Sequence, residues 1–522
     1  MKWQNRKIEN NQVIISILIG FLVYCCVGVK ADNNTLAPTL GNVAQKSIEI
    51  IQHNSCNLHI QDIIDPNHII VKLNNPCHNY FCTNLINVPT NKTITMGLSM
   101  DLQSNKENKA DVTKWDGLVP QFTYGDINDP ATFEWYRKDA NGYWISGNPL
   151  DTGNAGKGLV PEQKVIPAAE APDCLKDSGK YWDPWIDIKD TEQNNNLNIY
   201  RVKIKAKLPS ITVAMRIPCI NAVIDDFINQ LRKVKPLCCN VYTIGRSIKG
   251  RDLYVVFCHD SMEIHHQKLM EKPTVVFYAS DGNEHDANWI CYGILRFLVS
   301  SDKAAKEILK KINIIILPMF DPDGVAGSTW AHLTKTFELH NFKDTIPMET
   351  LSYARFFDSW IEKGDRLDIV CELHNVECSE TSSNILCPII DLRHYEAIVN
   401  MNNYILDHIT NYKTSKDIWM SGYMDSRLCG WCAKHFGSID CTYEINGRSS
   451  SNKLELDQLQ RLGNSLTIAF AEYMETANFF KQITDQVDFV RNYHISQQKA
   501  YWATQNKAQV EHSPYQSITL GF

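Results

Sequence analysis

The sequence predicts an α/β layered domain preceded by a β-rich domain, and three features carry that expectation. The runs Thr274 to Ala279, Ile312 to Met319 and Asp368 to Leu373 are too continuously apolar for strands with one wet face, which implies sheet covered on both sides. Stretches with helical apolar spacing, Ala222 to Lys233, Ala287 to Val299 and Leu454 to Thr476, alternate with them. Earlier in the chain, from Asp32 to about Ser210, residues of Asn, Asp, Pro and Gly interrupt short apolar stretches such as His68 to Leu73 and Tyr200 to Leu208, the pattern of strands joined by loops.

Taken in order, residues 1–31 read as a secretory signal: Lys2, Arg6 and Lys7 precede the apolar run Val13 to Val29, and Val29-Lys30-Ala31 has the small-residue form of a cleavage site. The same run is about long enough to span a bilayer, so a single-pass anchor is the alternative, and contact with a membrane is expected only in that case. Secretion agrees with 17 cysteines, an odd number of which remain once Cys25 and Cys26 leave with the signal, and with the glycosylation acceptors Asn33-Asn-Thr35 and Asn91-Lys-Thr93. Disulfides are therefore expected, although Cys429-Gly-Trp-Cys432 reads as structural ahead of redox or zinc-binding. A net charge of −7 over 522 residues leaves no basic footprint, which argues against nucleic acid as a partner.

Residues 32–215 form the expected β-rich domain, whose aromatic segment Phe122 to Trp144 reads as core ahead of a carbohydrate-binding face. Past Pro218 the helix Ala222 to Lys233 and the strands Val241 to Arg246 and Leu253 to Cys258 open the α/β part. A further strand ends near Thr442 to Ile445, and residues 481–522 are a polar tail. Polar residues fall where the buried strands end: Asp281 and Glu284, Asp321 to Asp323, His374 and Glu444. Open α/β sheets bind ligands at the carboxyl ends of their strands, so these groups point to one rim. Singly, Glu284 reads as a helix-start residue, His374 as a core histidine and Glu444 as an ion-pair partner; their common placement is what favours a site.

In Asp281-Gly-Asn-Glu-His-Asp-Ala-Asn-Trp289 the residues Glu284, Ala287 and Trp289 match the HPGETNASW motif of the zinc carboxypeptidases of the M14 class, in their cytosolic carboxypeptidase branch. Leu317-Pro-Met-Phe-Asp-Pro-Asp-Gly-Val325 is similar to the VPMxNPDGV stretch of that family, Glu372-Leu-His-Asn375 to its ligand strand, and Cys441-Thr-Tyr-Glu-Ile445 to the strand of its catalytic Glu. Tyr242-Thr-Ile-Gly-Arg-Ser-Ile-Lys-Gly-Arg-Asp252 resembles its entry segment. The resemblance implies a carboxypeptidase-like α/β/α domain with a mixed central sheet over residues 220–480 and one zinc ion held by Asp281, Glu284 and His374. It implies Glu444 as the general base and a peptide or protein C-terminus as substrate.

Two departures bear on that expectation. The first ligand is Asp281 where the family carries His, which places a second negative charge on the metal and should acidify its water less. A second register, with His285 as ligand and Asn288 in place of the family's Glu, requires an insertion and a neutral amide as ligand. The segment Gly327 to Asn341, which aligns with the family's substrate arginines, contains no Arg. Trp330 falls near the oxyanion position and His340 with Asn341 near the carboxylate-binding pair, so Lys335 and Arg448 are the cations expected to serve in their place. Such departures also fit a catalytically silent protein that binds a peptide or glycan, or a deacylase or amidase acting on a non-peptide substrate.

Overall fold

In the computed structural model the described residues are 47–51, 55–56, 58–65, 67–73, 80–99, 120–130, 134–138, 144–147, 164–165, 182–189, 196–262, 272–328, 347–375, 383–387, 392–408, 414–420, 427–445, 456–476 and 479. The signal-like segment, the acceptor Asn33, the tail 481–522 and the residues Trp330, Lys335, His340, Asn341 and Arg448 lie outside them. No helix among the described residues is long and apolar enough to cross a membrane.

An eight-stranded mixed sheet organises the α/β part. Its spatial order is Cys239–Arg246, Asp252–Cys258, Asn313–Leu317, Thr274–Ala279, Ile369–Asn375, Ile439–Ile445, Ser383–Cys387 and Thr414–Met420. The four strands from Asn313–Leu317 to Ile439–Ile445 run parallel. As the apolar runs predict, Thr274–Ala279, Asn313–Leu317 and Ile369–Asn375 are buried at every position. Their side chains divide by parity. Val275, Phe277, Ile314, Ile316, Cys371 and Leu373 join one core with the helices His285–Leu298 and Leu456–Met474. Val276, Tyr278, Ile315, Leu317 and Val370 join a second core with the helices Met348–Glu362 and Leu428–Phe436. Each such buried side chain contributes about 1.5–3 kcal/mol, and the result is helix, sheet and helix in three layers.

The predicted helices Ala222 to Lys233, Ala287 to Val299 and Leu454 to Thr476 are found as Asn221–Val234, His285–Leu298 and Leu456–Met474. The strand expected to end near Thr442 to Ile445 is Ile439–Ile445, in which Asp440 and Thr442 occupy buried positions. Met348–Glu362 and Leu428–Phe436 form helices that the periodicity did not single out, and the Ser383–Cys387 and Thr414–Met420 strands were likewise not marked by apolar runs.

Upstream, the β-rich part forms a seven-stranded and a five-stranded sheet. Phe122 and Trp135 are fully buried, and Tyr136 stacks on Phe122 with ring centroids 4.8 Å apart, so these aromatics are core. Cys56 Sγ lies 3.6 Å from Cys82 Sγ, beyond the length of a disulfide bond. This part meets the α/β part at the short helix Pro322–Gly327 and at the first residues of the helix His285–Leu298. Ser55 N–H donates to Ala326 O at 2.7 Å, its hydroxyl donates to Val325 O at 2.9 Å, and the Ser328 hydroxyl donates to Ser55 O at 2.8 Å. Buried Arg216 pairs with Asp286 at 3.1 Å, and the Tyr80 ring lies 4.3 Å from that of His285.

Gly282 lies against the short helix Pro322–Gly327, and a Cβ there would overlap the backbone of Gly324 and Val325. On the other side of the helix, a Cβ on Gly293 would run into the backbone of Gln460, which fixes the close approach of the helix Leu456–Met474. Gly282→Ala is expected to lower unfolding stability by about 1–3 kcal/mol through overpacking. A urea midpoint unchanged from wild type would contradict this contact.

Candidate metal centre

Thr274–Ala279 delivers the chain to the rim of the sheet, where Asp281 to Glu284 make one turn before the helix His285–Leu298 begins. Glu284 N–H donates to Asp281 O at 3.0 Å, which sets the two carboxylates side by side at the helix N-terminus, where the helix dipole favours negative charge. Glu284 Oε2 accepts from the backbone N–H of Asn375 at 2.8 Å, tying the turn to the neighbouring strand. His374 comes from that strand. Its Nδ1 lies 3.0 Å from Glu284 Oε2 and 3.6 Å from Asp281 Oδ2. All three residues are buried and offer ligand atoms within 4.8 Å of one another.

Parity places the rest. Within Ile369–Asn375, Glu372 and His374 share the face of Val370, opposite Cys371 and Leu373. In the adjacent parallel strand, Glu372 pairs with Thr442 and His374 with Glu444. Paired residues on neighbouring strands face the same way about 4.8 Å apart, so Glu444 stands beside His374 on the ligand face. It is partly buried.

Two groups that the sequence reading gave no role complete the cluster. Fully buried Glu372 brings Oε1 to 3.0 Å from His374 Nε2, while its Oε2 accepts from Arg427 Nη1 at 3.0 Å, Thr442 Oγ1 at 3.3 Å and Cys429 Sγ at 3.4 Å. The same Arg427 Nη1 is 2.8 Å from His374 Nε2. Glu372 was legible in principle, since two residues before His374 on a strand is the same face. Arg427, 53 residues from His374 and just ahead of the helix Leu428–Phe436, had no local signal. His285, the alternative ligand, turns away: Cys219 N–H donates to its Nδ1 at 3.2 Å, and its Nε2 lies 3.4 Å from Ser328 Oγ. Cys429 and Cys432 are buried, and burial pushes both thiols well above their ordinary range, as structural cysteines require.

Charge follows from this geometry. Burial opposes a charged imidazole, but Glu284, Glu372 and Asp281 outweigh both burial and Arg427, so His374 holds its proton well above the ordinary value. Burial likewise opposes a charged Glu372, and Arg427 and His374 overcome it, pulling the carboxyl well below its usual range.

Residues 224–345 match the zinc carboxypeptidase family model. That range contains Asp281 and Glu284 and stops short of His374 and Glu444, whose placement rests on the sheet. No curated protein matches the chain in sequence. Among solved structures, a metallo-carboxypeptidase from Burkholderia cenocepacia superposes with a TM-score of 0.58 at 11% identity, over 82% of this chain and 99% of that one. A metallo-carboxypeptidase from Pseudomonas aeruginosa, in complex with (2-guanidinoethylmercapto)succinic acid, superposes with a TM-score of 0.55 at 12% identity, over 81% and 98%. The α/β part thus has the carboxypeptidase fold, and coverage this wide extends the likeness into the β-rich part.

The residues present fit the zinc ion of that family. Two carboxylates and one imidazole, with Nδ1 aimed at both carboxylates, form a three-ligand set of the kind that leaves a position open for water or substrate, and their two negative charges balance a divalent cation. Because the raised His374 value favours the protonated ring, this group stabilises the metal-free fold below its ordinary value and loses that contribution as pH rises through the raised one. Zinc competes with the same proton, so its affinity should rise with pH across that window by about tenfold per unit. Calorimetric titrations in buffers of different ionisation enthalpy should report one proton released; zinc binding without proton release would remove Nδ1 from the ligand set.

Proposed function

We propose that this chain is a zinc-dependent hydrolase of carboxypeptidase type that acts on peptide or protein C-termini. The observation that supports this most directly is the buried set Asp281, Glu284 and His374, whose ligand atoms lie within 4.8 Å of one another beside Glu444 in register on the next strand. A bound zinc ion supplies a polarised water and a Lewis acid for the scissile carbonyl. Glu444 takes the proton of the attacking water on its carboxylate and returns it to the leaving nitrogen, the two halves of general acid–base catalysis. Glu284 is held by the Asn375 N–H and His374 by Glu372, so both ligands are oriented before substrate arrives. His340, Asn341, Lys335 and Arg448 are assigned to the substrate's terminal carboxylate, on the sequence resemblance. A secretory placement, with Val13 to Val29 as the signal, rests on the sequence as well.

Glu444→Gln should lower cleavage of a peptide with a free C-terminus by about 10²- to 10⁴-fold while elemental analysis still finds about one zinc per chain. Equal cleavage of the C-terminally amidated peptide would replace the exopeptidase reading with that of an amidase. A second reading, a protein that keeps the cleft for binding without turnover, is favoured by the absence of Arg from Gly327 to Asn341 and by Asp281 in the place of His. Zinc bound in stoichiometric amount with no release of C-terminal residues from a varied peptide library would select it.

A further inference from the structure

The β-rich part braces the surroundings of the turn Asp281 to Glu284 at two positions, and a cysteine stands beside each. Ser55 is the first: fully buried, it bonds to Ala326, Val325 and Ser328, and Cys56 follows it directly. Tyr80 is the second: its ring packs against that of His285, and Cys82 lies two residues on, at the start of the strand Cys82–Ile86. The two cysteines are 26 residues apart in sequence, yet both are buried and their sulfurs are 3.6 Å apart.

Sulfurs this close need approach by only about 1.5 Å to bond. The strand Cys82–Ile86 belongs to the seven-stranded sheet, and Cys56 leads into the strand Leu58–Asp65 of the five-stranded one, so a bond here would join the two sheets. Cys239 with Cys258 and Cys371 with Cys441 also face each other in register, but on neighbouring strands that the ladder already fixes. Ser55 gives the link a purpose. Its φ of 67° is in the left-handed region, which a residue other than glycine keeps only when its surroundings hold it there. The hydrogen bonds to Ala326, Val325 and Ser328 hold it on the side of the α/β part, and the cysteine pair is placed to anchor it on the other.

We infer that Cys56 and Cys82 are a modification site, oxidised to a disulfide that ties the two arms of this brace into one unit. The oxidant is a disulfide of the oxidised-glutathione class. The thiolate of one cysteine attacks a donor sulfur to form a mixed disulfide and releases one donor thiol; the second cysteine attacks the mixed disulfide and releases the other. The pair loses two electrons and two protons, and both are carried off by the two reduced donor thiols. Burial pushes the Cys82 thiol well above its ordinary range, which suppresses the attacking thiolate in the folded chain. The bond therefore forms as the chain folds or opens locally, and the same burial then shields it from reduction. The inference stands apart from the proposed hydrolysis, since it requires neither zinc nor turnover.

The test uses the full chain stripped of metal and held in urea below its unfolding midpoint, with either oxidised glutathione or a reducing agent. Each sample is then blocked with iodoacetamide under denaturing conditions and digested without reduction. The oxidised sample should yield peptides joined through Cys56 and Cys82, lighter than the sum of the two by two hydrogen atoms. Either cysteine alkylated, held as a mixed disulfide or joined elsewhere overturns the inference. Oxidised wild type should melt about 5 °C or more above reduced wild type, and the gap should close in the double variant Cys56→Ala with Cys82→Ala. A gap that persists there assigns the bond to other cysteines and also overturns the inference. Hydrogen exchange reads the brace itself: the amides of Ser55 and Ser328 should exchange about tenfold more slowly in the oxidised wild type. A joined pair with unchanged exchange at both amides would remove the bracing role.

Discussion

The site depends on the two-residue alternation of strands that are buried on both faces. In a sheet with one wet face, polar residues could simply turn outward. Here every position of Ile369–Asn375 is buried, so odd and even residues enter different cores, and the strand delivers Glu372 and His374 together to the layer under the helix Leu428–Phe436. The parallel register with Ile439–Ile445 then fixes Thr442 and Glu444 beside them. A slip of one residue in either strand would exchange these groups for Cys371, Leu373, Tyr443 and Ile445, which are core residues. The apolar packing that stabilises the fold is thus also what specifies the polar cluster.

Charge balance is the second constraint. Asp281, Glu284 and Glu372 lie around one imidazole with little access to water, an arrangement that is costly unless cations offset it. Two are at hand: a protonated His374, held in that form by the carboxylates, and Arg427, fixed by Glu372. A divalent ion at the Asp281, Glu284 and His374 atoms would take over from the proton. Asp281 in place of a neutral ligand makes that exchange more favourable electrostatically.

Rigidity of the ligand turn comes from outside the sheet. Gly282 allows the turn to lie against Gly324 and Val325, and the C-terminal end of that short helix, from Val325 to Ser328, is held by Ser55 of the β-rich part. Arg216 and Tyr80 clamp the first residues of the helix, Asp286 and His285, from the same side. The β-rich part therefore buttresses the turn Asp281 to Glu284, and His285, which as a sequence looks like a candidate ligand, belongs to that buttress.

The sequence by itself determined the layered α/β class and the ends of the buried strands, because apolar runs and helical spacing are local patterns that burial imposes directly. It also brought out Asp281, Glu284, His374 and Glu444, since each sits where such a run stops. Elements with mixed composition, such as Met348–Glu362 and Leu428–Phe436, were not legible, because their burial is decided by what packs on them. The tertiary structure alone decided that Glu372 lies behind the imidazole and that the cation beside it is Arg427. The physical reason is range: strand parity can be read over a few residues, but which guanidinium neutralises a buried carboxylate depends on a contact between segments 55 residues apart, for which the chain carries no local signal.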